Sequence, residues 1–295
     1  MMSSFRPVQK DIELVQPPGD SVSKIAFSPT QDILGVASWD NIVRLYNVNS
    51  QGQSEPKAMY QHEAPVLDLT WTKAQQVAAH DAPIKCARFV ETNGNSILIT
   101  AGWDKKLKVH IYDLANPFTK YRQIESPLKW QTRVISCFPQ SVGGDGYAIG
   151  SIEGRIGIQK NFSFKCHRID IPTGSMPGSP AVTGSQNVFP INTISFHQTQ
   201  GTFCTGGGDG SLTFWDGMAP YSAKDLGNGD PEARPNPVWG TPVVSTAFNH
   251  TQEILAYAFS YDWSKGHGGV PPANPPATKI MLHPVKPEEV NRKKK

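Results

Sequence analysis

The chain has little charge for its 295 residues: Asp, Glu, Lys and Arg make up 18%, and the net charge is +3. A balance that small does not mark a nucleic-acid binder by bulk electrostatics. The run Arg292-Lys293-Lys294-Lys295 is basic, and within a tail of residues 291–295 it reads as solvated. Cysteine is scarce as well. Cys86, Cys137, Cys166 and Cys204 show no C-x-x-C spacing, so they read as small buried apolar residues in a reducing compartment. No apolar run nears the roughly 20 residues that cross a bilayer, and residues 1–20 lack the apolar core of a secretion signal. The expectation is a soluble intracellular protein without membrane insertion. The eight histidines are scattered, without the helical i, i+4 spacing of a zinc site. Gly206-Gly207-Gly208-Asp209-Gly210-Ser211 lacks the Lys-Ser/Thr of a phosphate loop, and no serine sits in a G-x-S-x-G elbow. No catalytic residue, metal ligand, cofactor or small-molecule substrate is expected from these features.

Glycine and proline are plentiful, at 26 and 25, and 38% of residues are hydrophobic, a mix suited to short strands joined by many turns. One outline recurs. An apolar stretch ends in an aromatic, small residues lead to a Gly/Ser-Asp step, and an alternating strand follows. Copies open at Val22-Ser23-Lys24-Ile25-Ala26-Phe27, Ile84-Lys85-Cys86-Ala87-Arg88-Phe89, Val134-Ile135-Ser136-Cys137-Phe138, Ile191-Asn192-Thr193-Ile194-Ser195-Phe196 and Val243-Val244-Ser245-Thr246-Ala247-Phe248. The fourth closes on Trp215-Asp216, and the outline is that of WD repeats, hence an all-β WD-repeat propeller forming one domain over residues 1–295. A single four-stranded sheet cannot bury both faces, whereas sheets packed radially bury one another's. His80 stands where such repeats carry a structural histidine.

The last copy has no outer strand of its own. Asp11-Ile12-Glu13-Leu14-Val15 alternates polar and apolar and stops at Pro17-Pro18, so residues 11–15 are expected to supply that strand and remove an open sheet edge. Another copy is incomplete. Phe27 and Trp71 lie a full repeat apart, about 40–45 residues, but Phe89 follows Trp71 at less than half that distance. Leu67-Asp68-Leu69-Thr70-Trp71 opens a copy and Gln75-Gln76-Val77-Ala78-Ala79-His80 reads as its outer strand, with the middle strands absent. A second join falls at Lys108-Val109. The expectation is about six blades, one incomplete near residues 66–79, with a strained or gapped ring there.

Four phrases go beyond general propeller text: Ser126-Pro127-Leu128-Lys129-Trp130-Gln131-Thr132-Arg133, Tyr147-Ala148-Ile149-Gly150-Ser151-Ile152-Glu153-Gly154-Arg155, Phe162-Ser163-Phe164-Lys165-Cys166-His167-Arg168 and Ser260-Tyr261-Asp262-Trp263-Ser264-Lys265-Gly266-His267. They closely resemble the poly(A) RNA export factor family in its fungal form, WD-repeat proteins of the nuclear pore with seven blades. The Bub-family mitotic checkpoint propeller is a sister group that shares the Ser38-Trp39-Asp40 and Lys165-Cys166-His167-Arg168 regions. The resemblance implies a non-enzymatic adaptor in the nucleus and at the nuclear pore complex, supporting mRNA export. Its partner would be the GLEBS segment of an FG-nucleoporin, with poly(A) RNA or an mRNP as a further contact. A checkpoint scaffold binding a related segment at kinetochores is the alternative, and a propeller enzyme a third reading.

The resemblance also implies that acidic residues of the segment meet a basic residue at the position of Arg168, and that the aromatic at the Trp39 position packs on the same segment. The residues themselves are compatible. Arg offers a fixed fork that fits a carboxylate at two points, and Lys165 adds charge beside it. A Trp at a strand end is a plausible anchor, which makes Trp39 and Trp103 candidates for partner binding. The alternatives are that both tryptophans fill space between blades and that Arg168 forms a local ion pair. Trp263 and Lys265 lie in a Gly-rich loop where an aromatic and a charge could stack on an RNA base, or the loop is simply solvated.

Overall fold

The computed structural model describes residues 11–71, 84–92, 95–102, 108–113, 120–125, 128–139, 141, 146–158, 162–170, 186–216, 223–225, 241–266 and 278–291. After a short β1 (Ile12–Glu13), the first sheet comprises β2 (Val22–Phe27), β3 (Ile33–Ser38), β4 (Ile42–Val48) and β5 (Ser54–Gln61). The second comprises β6 (Ile84–Thr92), β7 (Asn95–Gly102), β8 (Lys108–Asp113) and β9 (Lys120–Glu125), and the third β10 (Thr132–Cys137), β11 (Tyr147–Ser151), β12 (Arg155–Ile158) and β13 (Phe162–Lys165). A two-stranded ribbon, β14 (Arg168–Asp170) and β15 (Gln186–Val188), precedes the fourth sheet of β16 (Ile191–Phe196), β17 (Thr202–Gly207), β18 (Leu212–Asp216) and β19 (Ala223–Asp225). The last sheet has β20 (Val243–Phe248), β21 (Ile254–Phe259) and β22 (Lys279–Pro284), followed by the single-turn helix α1 (Pro287–Val290). All strand pairs are antiparallel, and each sheet meanders outward from its first strand. The architecture is an all-β WD propeller.

The first strands face the axis: β2 lies against β20, β20 against β16, β16 against β10 and β10 against β6. Middle strands are sandwiched between neighbouring blades, so β3, β17 and β21 are buried along their whole length. Their sequences, ILGVAS, TFCTGG and ILAYAF, are nearly free of charge because no face of a middle strand meets water. Hydroxyls stitch the inner strands together where side chains alone would leave backbone groups unpaired. Ser245 Oγ accepts from the Ile25 amide at 3.1 Å, and Thr193 Oγ1 from the Thr246 amide at 3.0 Å.

The outer strand of the last blade comes from the start of the chain. Ile12 pairs with Leu282 and Glu13 with Met281, and the Leu14 amide donates to Ile280 O at 2.8 Å. Leu14 is buried in the core between the first and last blades, with Ile25, Leu34, Val36, Tyr46, Ile254, Ile280 and Leu282. Behind β22 lies a polar lock. His283 Nδ1 contacts Asp11 Oδ1 at 2.7 Å and His283 Nε2 contacts Glu289 Oε2 at 3.0 Å, while the Tyr257 hydroxyl donates to Asp11. Burial opposes the charge on His283, but hydrogen bonds and charge from Asp11 and Glu289 outweigh it and push the imidazole up to about 9. Burial likewise opposes ionisation of Asp11, and His283 together with Tyr257 and Lys286 still holds its carboxyl below the ordinary value.

The region of the short repeat differs from a regular blade. Residues 65–71 form no strand, because a strand without ladder partners leaves its amides unpaired. The segment instead lies across the first blade: Trp71 Nε1 donates to Ala26 O at 3.0 Å, the Ser23 hydroxyl donates to Val66 O, and Leu69 packs over Gly35. The expected outer strand at residues 75–80, with His80, falls outside the described residues. Among the described residues no packing like that of the other inner strands joins β2 to β6. On the outer strand of that blade Met59 and Tyr60 are 70% and 55% exposed. The join at Lys108-Val109, by contrast, falls at the start of β8, where both residues pair with β9 and the pairing with β7 begins at His110.

Two outcomes follow from the closure. Deleting residues 1–16 removes Leu14 and Asp11 and should lower the melting temperature and produce mixed oligomers on gel filtration; a monodisperse product melting like the full chain would refute this role for the segment. Raising the pH should also loosen closure. His283 has a folded value near 9 against 6.5 for the free side chain, so its contribution, roughly 3 kcal/mol, is complete below pH 6.5 and disappears as pH rises through 9. Denaturant melts from pH 6 to 10 should show this loss, and His283→Gln should flatten it.

Candidate partner-binding face

A β-bulge near the start of each described inner strand shapes one face of the ring. Register shifts occur between Val22 and Lys24, Ile84 and Cys86, Thr132 and Val134, Ile191 and Thr193, and Val243 and Ser245. The skipped residues are Ser23, Lys85, Arg133, Asn192 and Val244. A bulged residue has no ladder partner and is re-aimed. Ser23, Arg133, Asn192 and Val244 thus line a common cavity of about 760 Å³ at the axial mouth, with Trp39, Ile152, Pro190, Tyr261 and Trp263 from the adjoining turns.

The turns on this face are built alike. Asp40 Oδ1 accepts from the Ile42 amide at 3.1 Å, Asp209 Oδ1 from the Ser211 amide at 3.1 Å, and Asp262 Oδ1 from the Ser264 amide at 3.0 Å. These Asx turns position the residues beside them. Trp39 and Trp263, from the first and last blades, stack with centroids 4.5 Å apart and planes at 26°, and Tyr261 tilts against Trp263 at 5.5 Å. Trp263 takes φ +57°, a region a bulky residue enters only when its surroundings impose it. Trp263 Nε1 is occluded and has no hydrogen-bond partner among the described residues. Lys265 stands exposed at the tip of the same turn.

Arg168 opens the ribbon. Its Nη2 donates to Glu153 O at 2.7 Å, so a backbone carbonyl in the turn after β11 holds the guanidinium, while the Glu153 carboxylate lies 3.6 Å from Arg155. Lys165 is exposed at the end of β13. The sequence candidates therefore form two groups on one face: Trp39, Trp263 and Lys265 at the axial mouth, and Lys165 with Arg168 beside the Ile152-Glu153 turn. Trp103 lies outside the described residues.

Sequence reasoning missed two features. The first is His167, the buried structural histidine of the fourth blade. Its Nδ1 contacts Asp209 Oδ1 and Ser211 Oγ, each at 2.9 Å, and its Nε2 contacts Thr205 Oγ1 at 2.8 Å, which also accepts from Trp215 Nε1 at 2.9 Å. Burial alone would raise the Asp209 carboxyl, yet bonds and charge from His167 and bonds from Ser211 hold it below its ordinary value. The signal in the sequence is Asp209 and Ser211 shortly before Trp215, turn partners that lack a histidine. The second is the set of bulge residues, which nothing in the sequence marks. Burial pushes the Cys204 thiol up to about 12 and that of Cys166 upward as well, so both stay protonated and apolar in character.

Comparison with known proteins agrees with this architecture. The WD domain, G-beta repeat pattern matches residues 13–47 and 179–216. The chain is 38% identical to the Poly(A)+ RNA export protein of Schizosaccharomyces pombe, covering 98% of this chain and 94% of that protein. It belongs to the WD-repeat mRNA export factor family. The mRNA export factor GLE2 of Chaetomium thermophilum is 37% identical over 96% of this chain and 92% of its own length, and the mRNA export factor of Danio rerio 33% identical over 88% and 85%. The alignment with the S. pombe relative runs to 357 positions while this family member has 295 residues, so the gaps that open in its chain together exceed one WD repeat of about 40–45 residues. Among the described residues no cluster of three His, Cys, Asp or Glu side chains is placed to hold a metal, and no helix is long and apolar enough to cross a membrane.

The His167 network leaves no room for a methyl group on its neighbour. A Cβ on Gly207 would sit 2.3 Å from His167 Nδ1 and 2.6 Å from Asp209 Oδ1. Gly207→Ala should destabilise the protein by about 1–3 kcal/mol, read as a lower denaturant midpoint; an unchanged midpoint would mean that the network yields freely.

Proposed function

We propose that this protein is a non-enzymatic adaptor in mRNA export that grips the acidic GLEBS segment of an FG-nucleoporin across the face carrying Trp39 and Arg168. The observation that carries the reading is the convergence on one face of a stacked indole pair and a guanidinium held in place by a backbone carbonyl. The aromatic pair offers a flat apolar platform at low entropic cost. Arg168, with one arm bound to Glu153 O, keeps its other terminal nitrogen for a carboxylate, and Lys165 adds a second positive charge. Electrostatic attraction of this kind steers an acidic segment and fixes its register more than it sets affinity.

Work at the nuclear pore, with passage to the cytoplasm, follows from this reading. RNA is a further ligand on the same terms: Trp263 already stacks on Trp39 on one side, so a base would use its remaining surface, and Lys265 would meet the phosphate. The relatives bear export names, which favours export over a checkpoint scaffold at kinetochores.

Calorimetric titration with a synthetic acidic GLEBS peptide tests the proposal. Wild-type protein should bind it, with affinity falling as salt is raised. Arg168→Glu should weaken binding at least about 30-fold, the loss of a hot spot near 2 kcal/mol. Unaltered affinity in that variant would remove Arg168 from the site.

A further inference from the structure

Two of the phrases that mark this chain, Gln131-Thr132-Arg133 and Tyr261-Asp262-Trp263, meet at the axial mouth although they lie far apart in sequence. Arg133 is the bulged residue of β10, so its side chain turns inward instead of alternating along the sheet. It reaches past the intervening blade of β16–β19 to the turn after β21. There Arg133 Nη2 donates to the carbonyl oxygen of Asp262 at 3.0 Å, and Nη1 lies 3.8 Å from Asp262 Oδ2. Asn192, the bulged residue of β16, donates through Nδ2 to the same Oδ2 at 3.4 Å.

The Asp262 carbonyl and the Trp263 amide nitrogen belong to one planar peptide unit. Fixing that carbonyl fixes the plane from which the φ of Trp263 is measured. Trp263 is held at φ +57°, and in that conformation it stacks on Trp39. We infer that Arg133 is a positioning residue of the partner-binding face: by clasping Asp262 from two blades away it holds Trp263 in its left-handed conformation and so assembles the Trp39–Trp263 platform. What the platform receives rests on the proposed function; the clasp does not.

The test combines spectroscopy with binding. Stacked indoles couple their transitions and give an exciton couplet in circular dichroism, which Trp263→Ala should abolish and thereby assign. Arg133→Met keeps the aliphatic stem but removes the donors. It should lose the couplet and weaken the acidic GLEBS peptide about tenfold or more, and the double variant should bind no more weakly than Trp263→Ala alone. If Arg133→Met does not melt cooperatively, Arg133→Gln, polar but too short to span the same distance, supplies the same readings. A couplet that survives loss of Arg133, a lost couplet with unchanged affinity, or additive losses in the double variant would overturn the inference. Wild-type protein that fails to bind the peptide would overturn the proposed function instead, leaving the couplet to judge the clasp.

Discussion

The pairing of Ile12–Glu13 with β22 is the constraint on which the rest depends. A propeller blade buries its faces only if both neighbours are present, and the first and last blades become neighbours only when the ring shuts. The closing strand is short, but it carries Leu14 into the core shared by those blades, and Asp11 into contact with His283 and Tyr257. Further around the same seam, Asp32 accepts from Asn249 Nδ2 at 2.9 Å and meets His250 Nδ1 at 2.8 Å. Apolar burial supplies the driving force, and the polar contacts fix the register.

That seam also builds the functional face. Trp39 belongs to the first blade and Trp263 to the last, so their stack exists because β2 and β20 are brought together. The other end of this arc is irregular. Where the chain is a repeat short, Leu69 and Trp71 fold back over β2 and β3 and cover apolar surface that a neighbouring blade would otherwise bury. The indole donates to a backbone carbonyl on the way, which satisfies both its own N–H and an inner-strand acceptor. The binding face and the irregular region lie on opposite sides of one blade and share Ser23 and Leu67 as lining of the axial cavity.

Much of the fold was legible from residue patterns because WD repeats are written in local terms. Apolar inner strands, small middle strands and Asp-containing turns each declare themselves within a few residues, and in the structure Asp40, Asp209 and Asp262 each accept a backbone amide in such a turn. The site was legible only in part. Trp39 and Trp263 each stand out in the sequence, one as a peptide anchor and one as an RNA contact, but their stacking on each other is a tertiary feature. Arg168 stands out in the sequence by its charge; that a carbonyl rather than a carboxylate holds it depends on the neighbouring turn. His167 is hard to read from sequence because it lies before the fourth sheet, far along the chain from its partners Thr205, Asp209 and Ser211 within that sheet.

The sequence by itself determined the repeat, the strand alternation, the turn chemistry and the incomplete copy, all of which are set by interactions between near neighbours. Tertiary structure alone decided which blades touch, where each bulge aims its side chain, and that Arg133 meets Asp262. The reason is one of period: a two-residue alternation says which face a side chain occupies but is silent about a one-residue slip. It is that slip, repeated at each described inner strand, that turns Ser23, Arg133, Asn192 and Val244 toward the axis.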